Sequence, residues 1–307
     1  MATNWNTKTI HGVNAIVATP FSDDGRLDYR GFDRVVDFMA GSGINGATLF
    51  GIASEFHKLN DREKDQLAHR FLGGLAGSGL YRVLSVTDHA TEPAVRRARN
   101  YQEFGVDALM LLPPFFLQPS TEQVLQHVFA VLEAVSIPVF VQYAPSETGL
   151  PITPEQMAEI AARFPHAIFK IECNPPVDYT RDFLSRVPDA IVMNGYAGLY
   201  MLDMLAAGGK GVMPGCSFGE IYAEIYRLWQ GQDHAGAHLL HARLLPYIKR
   251  WMSRAEYIIQ VEKSLLWRRG VIASDHCRKP GHALPVDEKE VIERFLAEFA
   301  DLLPTLA

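Results

Sequence analysis

The sequence predicts a closed (β/α)8 barrel of the TIM class with a C-terminal helical appendage, on three observations. Short, apolar, β-rich runs recur eight times, longer amphipathic segments separate them, and no Gly/Ser/Pro-rich linker interrupts the alternation. The runs are Ala15–Thr19, Ala47–Gly51, Arg82–Val86, Ala108–Leu112, Val139–Tyr143, Ile168–Glu172, Ile191–Asn194 and Gly211–Pro214. Their starts lie 20 to 35 residues apart, the spacing of one βα unit. Each is apolar enough to be covered on both faces, as parallel strands require. Six or seven units would also satisfy an open doubly wound sheet, and eight favour closure.

The separating segments carry helix signals. Asp28 to Met39 places Phe32, Val35, Val36 and Met39 on one face, and Asn60-Asp61-Arg62-Glu63 opens a helix with a cap residue and early acids. Ser120 starts another, and Thr153-Pro154-Glu155 joins a capping residue to a proline in the first turn. From about Phe218 the pattern is helical through Leu303, with Gly270 to Leu284 as a Pro/Gly-containing interruption. The predicted organisation is a barrel over 1–217 and, over 218–307, the last barrel helix and a helical extension of the same unit. Its aromatic residues, Tyr222, Tyr226, Trp229, Trp251, Tyr257 and Trp267, predict core or subunit interface.

Composition removes several function classes. With 307 residues, 48% hydrophobic and 21% charged, the chain is of the soluble globular type. Twenty-nine Lys+Arg against 35 Asp+Glu give a net charge of -6 with no basic block, so nucleic acid is not an expected partner. Cys173, Cys216 and Cys277 are far apart and in no CxxC pair, which predicts reduced thiols and a cytoplasmic setting. Met1 to Ile10 is polar, and the most apolar long stretch, Val128 to Ala144, is broken by Glu133 and Pro138, so neither a signal peptide nor a membrane span is expected. The eleven histidines include no HExxH, and no carboxylate–histidine cluster has ligand spacing, so no catalytic metal is expected.

In such a barrel the working residues sit at the carboxyl ends of the strands. Lys170 lies within Ile168-Phe169-Lys170-Ile171-Glu172, where alternation turns Phe169 and Ile171 to the helices and Lys170 to the interior. Burial disfavours an ammonium, and a neutral lysine attacks carbonyls to form Schiff bases. The competing reading is a structural ion pair with Glu172, two positions on and on the same face. After the second run, Gly51-Ile52-Ala53-Ser54-Glu55 offers backbone amides and a hydroxyl to a carboxylate, or is an ordinary turn. The fifth run ends Gln142-Tyr143, where the phenol relays a proton or packs. In Thr87-Asp88-His89-Ala90-Thr91 the predicted cap of the next helix is Asp88, and His89 is left open between acid/base work and the loop. Gly208-Gly209-Lys210-Gly211 precedes its strand and is read as a turn.

Taken in order, these pieces resemble the dihydrodipicolinate synthase/N-acetylneuraminate lyase superfamily of class I aldolase-type barrels. The likeness runs from Gly12-Val13-Asn14-Ala15-Ile16-Val17-Ala18-Thr19-Pro20-Phe21 and Asp24-Gly25-Arg26-Leu27-Asp28 through Gly51-Ile52-Ala53-Ser54-Glu55, Leu112-Pro113-Pro114-Phe115-Phe116, Tyr143-Ala144-Pro145-Ser146 and Phe169-Lys170 to Gly208-Gly209-Lys210-Gly211-Val212. The resemblance implies Lys170 as the Schiff-base lysine, a 2-oxo acid substrate, no metal or organic cofactor, and a homotetramer built as a dimer of dimers. Departures from the pattern are informative. Ile52 and Ala53 stand where the family has hydroxyl residues, leaving Ser54 alone. A gapless reading puts Gln142 at the family's catalytic tyrosine and Tyr143 one position later. Phe115-Phe116 replaces tyrosines of the synthases, and Glu147 replaces the arginine that grips a second carboxylate. These changes argue against lysine biosynthesis. Phe169-Lys170-Ile171-Glu172, Val141-Gln142, Ser54-Glu55, His89 and the tail Gly270-Val271-Ile272-Ala273 with Arg278 and Pro280 resemble the branch containing 2-keto-3-deoxy-L-arabonate dehydratase.

The expected mechanism follows. Lys170 attacks the 2-oxo group while the substrate carboxylate rests on the amides of Ala53 and Ser54 and on the Ser54 hydroxyl. Tyr143, Gln142, His89 and Glu172 are the candidates for moving protons or holding substrate hydroxyls. Loss of a C3 proton followed by expulsion of a C4 hydroxyl is dehydration; breaking C3–C4 is retro-aldol cleavage. The alternatives are a pyruvate-dependent aldolase of the same superfamily, dihydrodipicolinate synthase-like or one for aromatic 2-oxo acids beside Phe115 and Phe116, and a non-catalytic 2-oxo acid sensor.

Overall fold

The computed structural model describes residues 10–303. The polar start on which the absence of a signal peptide was expected falls almost wholly outside them. In chain order the elements are β1 Gly12–Ile16, α1 Tyr29–Ala40, β2 Gly46–Leu49, α2 Asp61–Gly74, β3 Tyr81–Val86, α3 Thr91–Glu103, β4 Ala108–Leu111, α4 Thr121–Ala134, β5 Val139–Tyr143, α5 Pro145–Thr148, α6 Pro154–Arg163, β6 Ala167–Ile171, α7 Val177–Arg186, β7 Val192–Asn194, α8 Met201–Ala206, β8 Gly211–Val212, α9 Gly219–Gln230, α10 His234–Trp251, α11 Ala255–Arg268 and α12 Glu288–Glu298. Among the described residues, eight strands close in the order β1 to β8, each beside its sequence neighbours. Every position of β1, β2, β4, β5 and β6 is buried, which is why the runs read as continuously apolar instead of alternating.

The first strand begins three residues before the predicted run. Pairing of Asn14 with Gly46, Ala15 with Ala47 and Ile16 with Thr48 sets the ladder, and the buried Thr48 hydroxyl donates to Asn14 Oδ1 at 2.8 Å. A glycine and an asparagine do not read as β-strand, so propensity misplaced the boundary.

The helix starts form as their caps dictate. Asp28 accepts from the Gly31 amide at 2.8 Å, and Asn60 with Glu63 and Thr153 with Gln156 form reciprocal capping boxes. Ser120 caps α4. Asp88 is the exception. The N-cap of α3 is Ala90, without a side-chain bond, and Asp88 instead grips Arg97 bidentately at 2.6 and 3.1 Å. A charge-assisted fork outweighs a single cap bond.

Contacts gather the chain into two compact units. One holds Tyr81–Met213 with the described residues before Val13; the other holds Val13–Leu80 and the chain from Pro214 onward. The contact boundary thus groups β2 and most of β1 with the C-terminal helices. That second unit has an aromatic core in which Phe218 meets Tyr222 at 5.4 Å and Phe295 at 5.2 Å. The buried Glu288 carboxylate accepts from Trp251 Nε1 and Arg250 Nε, both at 2.7 Å, and from the Tyr257 hydroxyl. Trp267, by contrast, is 46% exposed. Among the described residues no helix is long and apolar enough to cross a membrane.

Candidate active site

Lys170 occupies the fourth position of β6, flanked by Phe169 and Ile171. Phe169 is fully buried and meets Phe183 of α7 edge-on at 4.7 Å, so its face is the helix layer and that of Lys170 is the opposite one. Lys170 is only 4% exposed, and its ammonium lies 3.0 Å from Glu172 Oε1. Glu172 is more than an ion-pair partner. Its Oε2 accepts from Gln142 Nε2 at 2.6 Å and its Oε1 from the Tyr196 amide at 3.3 Å. Gly195 makes room for it, since a Cβ there would fall 2.1 Å from the Glu172 Cγ. The carboxylate is therefore fixed from β5, β6 and the turn after β7.

The β5–β6 register decides between the two side chains left open by the sequence. Gln142 pairs with Lys170 and Tyr143 with Ile171, and aligned residues of parallel strands project to the same side. Gln142 shares the face of Lys170. Tyr143 points to the helices, where its ring stacks on Tyr179 of α7 at 4.9 Å, and burial pushes its phenol up from the ordinary value. The expectation that Tyr143 is catalytic is corrected on this ground.

Two groups were missed. Tyr196 follows β7 and carries φ 52°, and Ala197 after it has φ 48°. Left-handed conformations cost L-residues roughly 1–2 kcal/mol each, so this turn stands because its contacts hold it. The Tyr196 hydroxyl lies 3.0 Å from Ser146 Oγ on α5. Beside Ser146, Glu147 has its carboxyl pushed up to about 7, first by the protein crowding it and then by the negative charge of Glu172, against the pull of Lys170. The sequence marked Glu147 only as the residue replacing an arginine. Tyr196 stands just past the end of the seventh run, which is where a barrel's working residues are sought.

His89 is exposed, with its ring edge-on to Phe115 at 4.8 Å and Phe116 at 6.1 Å. It belongs to an aromatic lip made by the loops after β3 and β4.

Ala53 and Ser54 lie in the other unit, on a single 3₁₀ turn. Ser54 is fully buried, and both its donors are taken: the hydroxyl by Val17 O at 2.6 Å and the amide by Gly51 O at 2.9 Å. Its carbonyl accepts from Thr19 Oγ1 at 2.8 Å. The expected donation from Ser54 to a carboxylate is therefore corrected; the residue ties its turn to the loop after β1. Glu55, also fully buried, follows at φ 54° and pairs with Lys58 at 3.0 Å and with the buried Lys263. Lys263 further donates to His276 O at 2.9 Å and lies over the Phe21 ring.

Comparison with known proteins places this site in a lineage. The model of the Dihydrodipicolinate synthetase family matches residues 9–299. The chain belongs to that family. Dihydrodipicolinate synthetase family relatives include L-2-keto-3-deoxyarabonate dehydratase of Azospirillum brasilense, to which the chain is 29% identical over 290 residues, covering 92% of this chain and 91% of the relative. The 4-hydroxy-tetrahydrodipicolinate synthase of Methanopyrus kandleri is 25% identical over 299 residues, covering 96% and 98%. Among solved structures, dihydrodipicolinate synthase from Rhodopseudomonas palustris superposes with a TM-score of 0.86 at 27% identity, over 95% of this chain and 98% of that one. Membership makes the protein an enzyme of the lyase class, an aldolase or dehydratase.

Proposed function

We propose that the protein is a Schiff-base dehydratase of a 2-keto-3-deoxy sugar acid, with Lys170 as nucleophile. The observation that carries this reading is a buried lysine paired with a carboxylate that two other groups also hold. Glu172 takes a Lys170 proton as the amine attacks C2 and hands it to the carbinolamine hydroxyl, which leaves as water while the protonated imine forms. The protonated imine carries the positive charge, so the Glu172 carboxylate faces a cation whenever it is ionised. Gln142 and the Tyr196 amide keep the carboxylate in place while Lys170 changes its bonding.

The imine draws electrons from C3. Proton loss there yields an enamine that expels the C4 hydroxyl, whereas scission of C3–C4 gives pyruvate and an aldehyde. The dehydration branch is supported by the likeness to the Azospirillum dehydratase and by Phe115, Phe116 and Glu147, which replace the tyrosines and arginine of the synthases. A homotetramer and a cytoplasmic setting belong to the same proposal; the three thiols are unpaired, and sedimentation should give four times the chain mass.

Incubation with pyruvate and borohydride is expected to add one reduced pyruvyl group to the peptide carrying Lys170. An unmodified peptide, under conditions that trap a control aldolase, removes the Schiff-base reading and leaves the 2-oxo acid sensor. A panel of 2-keto-3-deoxy acids then separates the branches, since pyruvate plus an aldehyde counts against dehydration.

A further inference from the structure

We infer that Tyr196, hydrogen-bonded through its hydroxyl to Ser146, protonates the departing C4 hydroxyl in place of a phenol on β5. This rests on the dehydratase reading and adds the proton donor that reading lacks. The interior face of β5 beside Lys170 carries no phenol: Gln142 stands opposite Lys170 and is engaged by Glu172, while the Tyr143 ring lies on Tyr179.

The turn after β7 supplies what β5 does not. The Tyr196 amide donates to Glu172 Oε1 at 3.3 Å, the same oxygen that pairs with Lys170 at 3.0 Å, so the backbone bearing this phenol is tied to the nucleophile's own partner. Its hydroxyl reaches Ser146 Oγ at 3.0 Å on the helix that directly follows β5. Tyr196 is partly exposed, as a group meeting a diffusing substrate must be. Two successive left-handed residues without glycine hold it there, and such backbone persists where surrounding contacts over-determine it, as at functional turns.

The step balances. Once the C3 proton has passed to the Glu172 carboxylate, which returns it to solvent, the enamine electrons form C3=C4 as the C4–O bond breaks, and the iminium is restored. The oxygen departs with the Tyr196 proton as water. The phenolate then takes a proton from the Ser146 hydroxyl, which solvent replenishes. No oxidant, reductant or metal enters.

Tyr196→Phe in the full chain tests this with two readouts. Exchange of pyruvate methyl protons in deuterated water reports imine and enamine without any C4 departure; formation of the dehydrated product from 2-keto-3-deoxy-L-arabonate reports the whole sequence. The expected result is exchange and KM within about threefold of the parent and kcat for dehydration down about 100-fold, with Ser146→Ala down about tenfold. Dehydration that is unchanged, or that falls in step with exchange, overturns the assignment. A parent that exchanges pyruvate protons yet dehydrates no member of a 2-keto-3-deoxy acid panel sinks the dehydratase reading and this inference with it. A parent that does not exchange sinks the Schiff base itself.

Discussion

Gln142 and Lys170 stand opposite one another across the β5–β6 pairing, and both reach the Glu172 carboxylate, at 2.6 and 3.0 Å. Neighbouring strands thus converge on one acid two residues beyond the lysine. A carboxylate held from three directions serves a nucleophile better than a simple ion pair, because losing one partner does not set it adrift.

The space for that carboxylate is the missing side chain at Gly195. Gly195→Ala is expected to push Glu172 aside, since the new Cβ would sit 2.1 Å from the Glu172 Cγ. Steady-state kinetics should show kcat down at least about tenfold, with a circular dichroism spectrum like the parent's. Full activity in this variant would mean that the position of Glu172 is irrelevant to turnover.

Tyr143 lies on the far side of β5. Tyr143→Phe removes a hydroxyl that faces Tyr179 and the helices, and kcat should stay within about threefold of the parent. A loss of about 100-fold or more would restore Tyr143 as the proton relay and contradict the register.

The barrel was legible because strands buried on both faces read as apolar runs, and because Asp28, Asn60, Ser120 and Thr153 bear cap side chains that can act in one place only. Lys170 and Glu172 were legible from strand alternation. Which of Gln142 and Tyr143 faces the lysine was not, since both are buried and either fits a strand end; only the pairing with Lys170 and Ile171 settles it. Tyr196 escaped because its role depends on left-handed backbone, which no propensity assigns to tyrosine. The raised carboxyl of Glu147 depends first on the protein packed over it and then on Glu172, 25 positions along the chain, and neither has a local pattern.

Ser54 separates a structural role from a binding one. With its hydroxyl donated to Val17 O at 2.6 Å in a fully buried setting, Ser54→Ala leaves that carbonyl short of a partner. A cost of about 1–2 kcal/mol in unfolding free energy is expected, with KM for a 2-oxo acid unchanged within about twofold. A tenfold rise in KM at unaltered stability would return the hydroxyl to the substrate carboxylate.

Glu262 sets a pH dependence on stability. It is 2% exposed on α11; its Oε2 accepts from the Ser217 amide at 2.8 Å, while Oε1 is buried without a partner among the described residues, near Cys216 and Tyr222. Burial raises its carboxyl from 4.5 to about 7, against the pull of Ser217. The folded state therefore binds a proton that the unfolded chain has already released between those values. A raised carboxyl favours folding when protonated, so its contribution is full below about pH 4.5 and is lost as pH climbs through about 7. The shift corresponds to about 3 kcal/mol. Glu147 titrates in the same window with a smaller effect, because solvent reaches its side chain. Urea unfolding at about pH 5 and about pH 8 should show the parent losing stability across that interval and Glu262→Gln losing much less. Parallel curves for the two proteins would mean that Glu262 keeps an ordinary carboxyl, and that the decline belongs to other groups.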